Sequence, residues 1–224
     1  MIKHSLPLLV TKFTEPDSRE INPFKKMDTF TFSETERILG AKNMIRHQLT
    51  EFNMTILKLG TQYPNCYFVS GGCVASLLQG EIPKDYDIYF YHKEWADGVV
   101  KLYTKDPAYQ NEVATYDEKY RDVSVDTNGM VITENAVTLK NNLQLITKHY
   151  GTPEEIRKTF DFVHCLPYYN SQDDKFYISR EQYDCCVNKV LKINNTSNLT
   201  TWREEKFKKR GYEYGEISTP NNIY

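Results

Sequence analysis

Apolar residues recur every three or four positions from Ile38 through Ala41, Ile45, Leu49, Phe52 and Ile56 to Leu59. That spacing lays them along one stripe of an α-helix. Ser33 followed by Glu36 forms a capping box ahead of the stripe, and Gly60 is placed to end it. The pattern predicts one long helix.

Beyond Gly60 the period changes. Cys66 to Val69 reads as a short buried strand, and Val74 to Gln79 as a short helix stopped by Gly80. Asp85 to Tyr91 reads as a second strand, and Glu94 to Tyr103 as a helix. Alternation at Val123-Ser124-Val125 and Met130-Val131-Ile132 predicts strands around a turn at Asp126 to Gly129. Leu143 to Thr147 predicts another strand. Thr152-Pro153-Glu154-Glu155 is a second capping box, with proline where its missing N–H costs nothing. Phe160 to Tyr169 predicts a strand that Lys175 to Ile178 can pair with. Ser179, with Gln182 as capping partner, opens a helix whose stripe is Tyr183, Cys186, Val187, Val190 and Leu191.

Together these elements predict an α+β (mixed α/β) fold: a short twisted mixed sheet with flanking helices, plus a C-terminal helical segment. Residues 1–30, with Pro7, Pro16 and Pro23, read as an irregular arm carrying one short strand around Leu8 to Val10. Residues 31–178 read as the core. Residues 179–224 read as a C-terminal helix and a basic-aromatic tail, joined by the polar stretch Asn194 to Thr200.

The composition narrows the function classes. The hydrophobic fraction of 40% and aromatic fraction of 13% suffice for a core. A formal net charge of -2 argues against a global basic field for long nucleic acid, although a local patch remains open. The five cysteines are odd in number and lack C-x-x-C spacing, which reads as reduced thiols in a cytoplasmic protein. No charged-then-apolar leader or membrane-spanning run is expected.

Asp85 and Asp87 stand out because they interrupt the hydrophobic run "DYDIYF". On a strand, residues i and i+2 share a face, so Asp85, Asp87 and Tyr89 lie on one side while Tyr86, Ile88 and Phe90 pack beneath. Two carboxylates about 6–7 Å apart on one face repel each other unless a cation lies between them. A hard divalent ion such as Mg²⁺ takes oxygen ligands and keeps positions for a substrate phosphate. Gly71 and Gly72 precede them, between a strand and a helix start, where backbone N–H groups can approach phosphate closely. Two solvated acids on an edge strand and a plain tight turn are the bland readings of each feature alone.

The combination Gly71-Gly72, "CVASLLQGEIPK", Asp85-Tyr86-Asp87 resembles the nucleotidyltransferase superfamily, the fold of DNA polymerase β and the CCA-adding enzymes. The resemblance is sharp from Tyr67 to Tyr91 and looser to Tyr169. It implies a polymerase β-like core that moves an NMP from an NTP to a hydroxyl and releases pyrophosphate. It also implies two Mg²⁺ ions, with Mn²⁺ an alternative, held by the carboxylates, and Ser70, Gly71 and Gly72 around the phosphates. The implied partners are an NTP such as ATP and an acceptor: an RNA 3′ end of tRNA-like kind, a protein or a small molecule. No membrane is implied.

The same resemblance calls for a third carboxylate on a neighbouring strand. Leu143 to Thr147 offers only Gln144, a poor ligand for a hard cation. Asp161, framed by Phe160 and Phe162, is the candidate, with Glu134 and Asp126 in reserve; capping of a helix-to-strand junction is its other reading. Without such a group the protein is a degenerate relative that binds nucleotides, or a protein-interaction module, without transferring anything. In the tail segment "EEKFKKRGYEY", Lys206, Lys208, Lys209 and Arg210 alternate with aromatics and are candidates for holding the triphosphate, Lys208 and Arg210 foremost, or an RNA end; a solvated basic tail is the alternative. His92 and His164 read as surface and packing residues.

Overall fold

A computed structural model describes residues 33–58, 66–115 and 130–215. The capping boxes fix the helix starts. Ser33 accepts from the Glu36 N–H and Glu36 reaches back, opening α1 (Glu34–Gln48). Thr152 with Glu155 opens α5 (Pro153–Arg157), and Ser179 with Gln182 opens α6 (Arg180–Val187). The expected single long helix is two, α1 and α2 (Thr50–Lys58), broken at Leu49. The apolar stripe crosses the break: Ala41, Ile45, Leu49, Phe52 and Ile56 are all buried in one cluster. Leu59, Gly60, the N-terminal arm, the Val123 to Val125 strand and the Asp126 to Gly129 turn lie outside the described residues.

Six strands form a mixed sheet in the order β3-β4-β2-β1-β5-β6. They are β1 (Tyr67–Ser70), β2 (Tyr86–Phe90), β3 (Ala136–Thr138), β4 (Leu143–Tyr150), β5 (Tyr168–Asn170) and β6 (Lys175–Tyr177). The β2–β4 pair is parallel; the other neighbours are antiparallel. Two helices complete the core, α3 (Gly72–Leu78) and α4 (Lys93–Lys105). The fold is therefore mixed α+β, as the element order predicts. Met130 and Ile132 make isolated bridges rather than a strand. Phe160 to Tyr169 does not run on as a strand: it bends through a 3₁₀ turn at Val163–Cys165 before β5 begins.

The pleat divides the sheet into two unlike faces. Tyr67, Val69, Tyr86, Ile88, Phe90, Leu143 and Leu145 pack with the helix stripe in the main core. Phe68, Tyr89, Tyr168 and Ile156 cluster separately, with Ile146 and Phe160 at their margin. Asp87 belongs to this second face. A C-terminal unit closes over it: β7 (Val190–Leu191), α7 (Thr201–Lys208) and β8 (Glu213–Tyr214). Val190 and Leu191, expected to continue the α6 stripe, form β7 instead, paired in parallel with β8. Phe207 anchors α7. It is buried against Phe162 and His164, with ring centroids at 5.4 and 4.4 Å, and against Tyr212 at 5.5 Å.

Candidate active site

Between the second face of the sheet and α7 lies a cleft of about 980 Å³. Asp85 and Asp87 line it together with Gly71 and Gly72, so the pair expected to share a side does so. Asp85 immediately precedes β2, and Asp87 lies within it. Burial pushes the Asp87 carboxyl up to about 6, and the neighbouring Asp85 charge adds to the shift. Both effects disfavour a second negative charge at this spot.

The adjacent glycines divide the work. Gly71 has φ +94°, and a Cβ there would come within 3.0 Å of Asp87 Oδ2. Its N–H donates to the Cys165 carbonyl at 3.1 Å, so Gly71 makes room rather than offering a donor to the cleft. A Cβ on Gly72 would meet Arg210 no closer than 3.8 Å, ordinary contact. Ser70 departs from its expected role around the phosphates. Its hydroxyl is fully buried and donates to the carbonyls of Cys165 and Pro167, tying β1 to the bend before β5.

The roof is basic. Arg203, Lys206 and Arg210 line the cleft from α7 and the turn after it. Arg203 and Lys206, three residues apart, share one side of α7, and Arg210 reaches the cleft from the turn that follows the helix. Burial in the cleft, with Arg203 beside it, lowers the Lys206 ammonium, while Asp87 across the cleft acts in the opposite direction. Arg210 donates to the Ser76 hydroxyl at 2.6 Å and to Glu81 at 3.3 Å. Lys208, an expected phosphate ligand, does not line the cleft: it lies 3.9 Å from Glu204 and over the Tyr214 ring. Lys206, one of the tail lysines the sequence reading offered for the triphosphate, does line the cleft, and Arg203 is the residue that reading missed. Its i, i+3 spacing from Lys206 was the available signal.

Asp161 lines the cleft too, yet its carboxylate is already committed. Arg203 Nε donates to Oδ2 at 2.6 Å and a terminal nitrogen to Oδ1 at 3.1 Å, while the Phe162 N–H also reaches Oδ1. This is a bidentate ion pair, buried on the Asp161 side and partly exposed on the Arg203 side. As expected third ligand it is corrected by its partner: the charge that a metal would supply comes from Arg203. Glu134 is exposed near the start of β3, and Asp126 lies outside the described residues. The strand position opposite Asp87 in the parallel β2–β4 register holds Gln144. Among the described residues no cluster of three or more His, Cys, Asp or Glu side chains is placed to hold a metal. Asp85 and Asp87 lie together on the cleft floor, and two carboxylates there are the kind of ligand that one hard divalent ion takes, completed by substrate oxygens and water.

His164 lies behind the site, fully buried against Phe162, Phe207 and Tyr212. Burial lowers its imidazole to about 3, which keeps it a neutral packing group at pH 7. The five cysteines are all free and buried, and burial pushes the Cys165 thiol up to about 12. No described helix is long and apolar enough to cross a membrane.

A strand, paired glycines, a short helix and a second strand bearing two aspartates come together around one cleft, as the sequence motif requires. The sequence model of Gad2, the Gabija anti-defense 2 family protein, matches residues 41–186, more than half of the chain, and the chain belongs to that family. Among solved structures, the Thermotoga maritima CCA-adding enzyme complexed with tRNA is similar at 15% identity and a TM-score of 0.49, over 82% of this chain and 42% of that one. The apo form of a CCA-adding enzyme is similar at 16% identity and 0.43, over 68% and 36%. A tRNA nucleotidyltransferase complexed with a primer tRNA and an incoming ATP analog is similar at 14% and 0.41, over 64% and 38%. The chain spans about two fifths of the length of these structures, and at such scores nothing about substrate rests on them. No curated protein matches the chain.

Proposed function

We propose that this protein is a metal-dependent nucleotidyltransferase that moves an NMP from an NTP to a hydroxyl acceptor. The observation that carries this reading is the pairing of Asp85 and Asp87 on the cleft floor with the cationic side of α7 on its roof. A polyanion accompanied by a cation is the ligand that satisfies both surfaces at once. Asp85 and Asp87 would hold Mg²⁺, which when bound lowers the pKa of the acceptor hydroxyl and offsets phosphate charge. Arg203, Lys206 and Arg210 would hold the β- and γ-phosphates, stabilising the charge that gathers on the leaving group. The acceptor oxygen bonds to the α-phosphorus, the bond from that phosphorus to the β-bridging oxygen breaks, pyrophosphate departs, and the hydroxyl proton passes to solvent. The acceptor, whether an RNA 3′ end, a protein or a small molecule, would enter from the open side of the cleft.

Gln144 opposite Asp87 supports a second reading, a module that binds metal and nucleotide without transfer. The family name supports a role against the defence called Gabija, with nucleotide handling as its means. One experiment separates the readings. The protein is incubated with Mg²⁺ and each of four α-labelled NTPs, with total RNA or total protein as acceptor, beside calorimetry of NTP binding. Labelled product that disappears in Asp85→Asn and Asp87→Asn supports transfer. Tight binding without labelling supports the second reading. Absence of Mg²⁺-dependent binding overturns both.

A further inference from the structure

We propose that Trp202 is a stacking platform for the base of the bound nucleotide, an inference that rests on the nucleotide reading above. Tryptophan side chains are ordinarily mostly buried. Trp202 is 65% exposed and lines the same cleft as Asp85 and Asp87. Its position on α7 explains the exposure. At 100° per residue, Trp202 points well away from Phe207, the residue that anchors the helix in its hydrophobic cluster. It falls instead beside Lys206, whose Nζ lies 5.3 Å from the ring centroid.

The order along the helix matches the order within a nucleotide. Arg210 sits at the end of α7 near Gly72, across from the carboxylates. Trp202, Arg203 and Lys206 lie within α7, and Arg210 lies in the turn that follows it. Lys206 lies between Arg203 and Arg210, and Trp202 lies at the opposite end from Arg210. Phosphates held from Arg210 past Lys206 to Arg203 therefore place the sugar and base toward the indole. The ammonium of Lys206 is attracted to the ring quadrupole. It occupies part of the ring surroundings, and the exposed remainder is available to a flat base.

Stacking on an indole tolerates any base but favours the larger purines through their wider π-face. ATP and GTP are therefore expected to bind several-fold more tightly than CTP and UTP. The sequence holds two tryptophans, Trp95 and Trp202, and Trp95 is buried in the main core. Intrinsic fluorescence of the full chain in Mg²⁺ can thus report on Trp202, with Trp95→Phe as the single-tryptophan background. The expected result is quenching by ATP but not by inorganic tripolyphosphate. In calorimetry, Trp202→Ala should weaken ATP about 10-fold or more and leave tripolyphosphate unchanged, and Trp202→Phe should restore most of the ATP affinity. If wild type binds ATP and Trp202→Ala binds it equally well, or weakens ATP and tripolyphosphate alike, the stacking role is overturned while the nucleotide reading stands. If wild type binds neither ligand, the nucleotide reading itself falls.

Discussion

Asp87 and Asp161 line one cleft and have opposite surroundings. Asp161 is buried, bidentately bound to Arg203 and further held by the Phe162 N–H. Asp87, half-buried, faces another carboxylate and is raised to about 6. One charge is matched within the chain, and the other waits for a match. The lesson is that a buried acid does not by itself mark a ligand site; what counts is whether the protein has already neutralised it. Asp161 is a positioning residue. It fixes Arg203, and through Arg203 the side of α7 that faces Asp87.

Removing each acid should therefore do different damage. Asp161→Asn leaves Arg203 without its counter-charge; because Arg203 is partly exposed, water takes up some of that charge, and the cost falls below the buried-pair range, at about 2–3 kcal/mol. A urea titration should show that loss in full, whereas Asp87→Asn should leave the metal-free protein as stable as wild type or more so. Equal destabilisation by the two would erase the contrast.

The two glycines sharpen it at a smaller scale. Gly71→Ala forces a side chain into a positive φ and onto Asp87 Oδ2, so about 1–2 kcal/mol or more should be lost. Gly72→Ala, at the first turn of α3 with ordinary contact distances, should change stability little. Thermal melts of both variants check this, and a costly Gly72→Ala with a harmless Gly71→Ala would reverse the assignment.

Acid gives the smallest effects, and their signs are opposed. His164, near 3 folded against about 6.5 unfolded, takes up its proton more readily in the unfolded chain, so its contribution is present above pH 6.5 and lost as pH falls toward 3. Asp87 is raised in the fold, so it takes up its proton there first, and stability rises as pH falls from about 6 to about 4. Wild type shows the partial cancellation. Unfolding at pH 7, 6 and 5 should show Asp87→Asn losing about 1–2 kcal/mol more than wild type does over that range, and His164→Phe losing less. Parallel curves for all three proteins would contradict both assignments.

What could be read from the sequence was local. The three capping boxes and the i, i+2 spacing of Asp85 and Asp87 depend on neighbours a few residues away, and they appear where expected. What failed depends on partners far along the chain. Ser70 spends its hydroxyl on the Cys165 and Pro167 carbonyls, and Asp161 finds Arg203 about forty residues later. The bend through Val163–Cys165 was hidden because every residue from Asp161 to Asn170 is buried, and an unbroken buried run carries no period. Alternation of charge and aromatics in the tail points to Lys206 and Arg210 but not to Arg203, which needs the helical spacing of α7 to be joined to Lys206.

The central claim is that Asp87, not Asp161, is where the chain awaits a cation and its nucleotide. Calorimetry of ATP binding with and without Mg²⁺ tests it most directly on wild type, Asp87→Asn and Asp161→Asn, each confirmed folded. The account predicts Mg²⁺-dependent binding in wild type that falls about 100-fold or more in Asp87→Asn, since loss of a direct ligand should exceed the 10–100-fold cost of losing an outer one. Folded Asp161→Asn should keep the Mg²⁺ dependence and lose only the part of ATP affinity that a displaced Arg203 supplied. Mg²⁺-dependent binding unchanged in Asp87→Asn, or abolished only in Asp161→Asn, would contradict it.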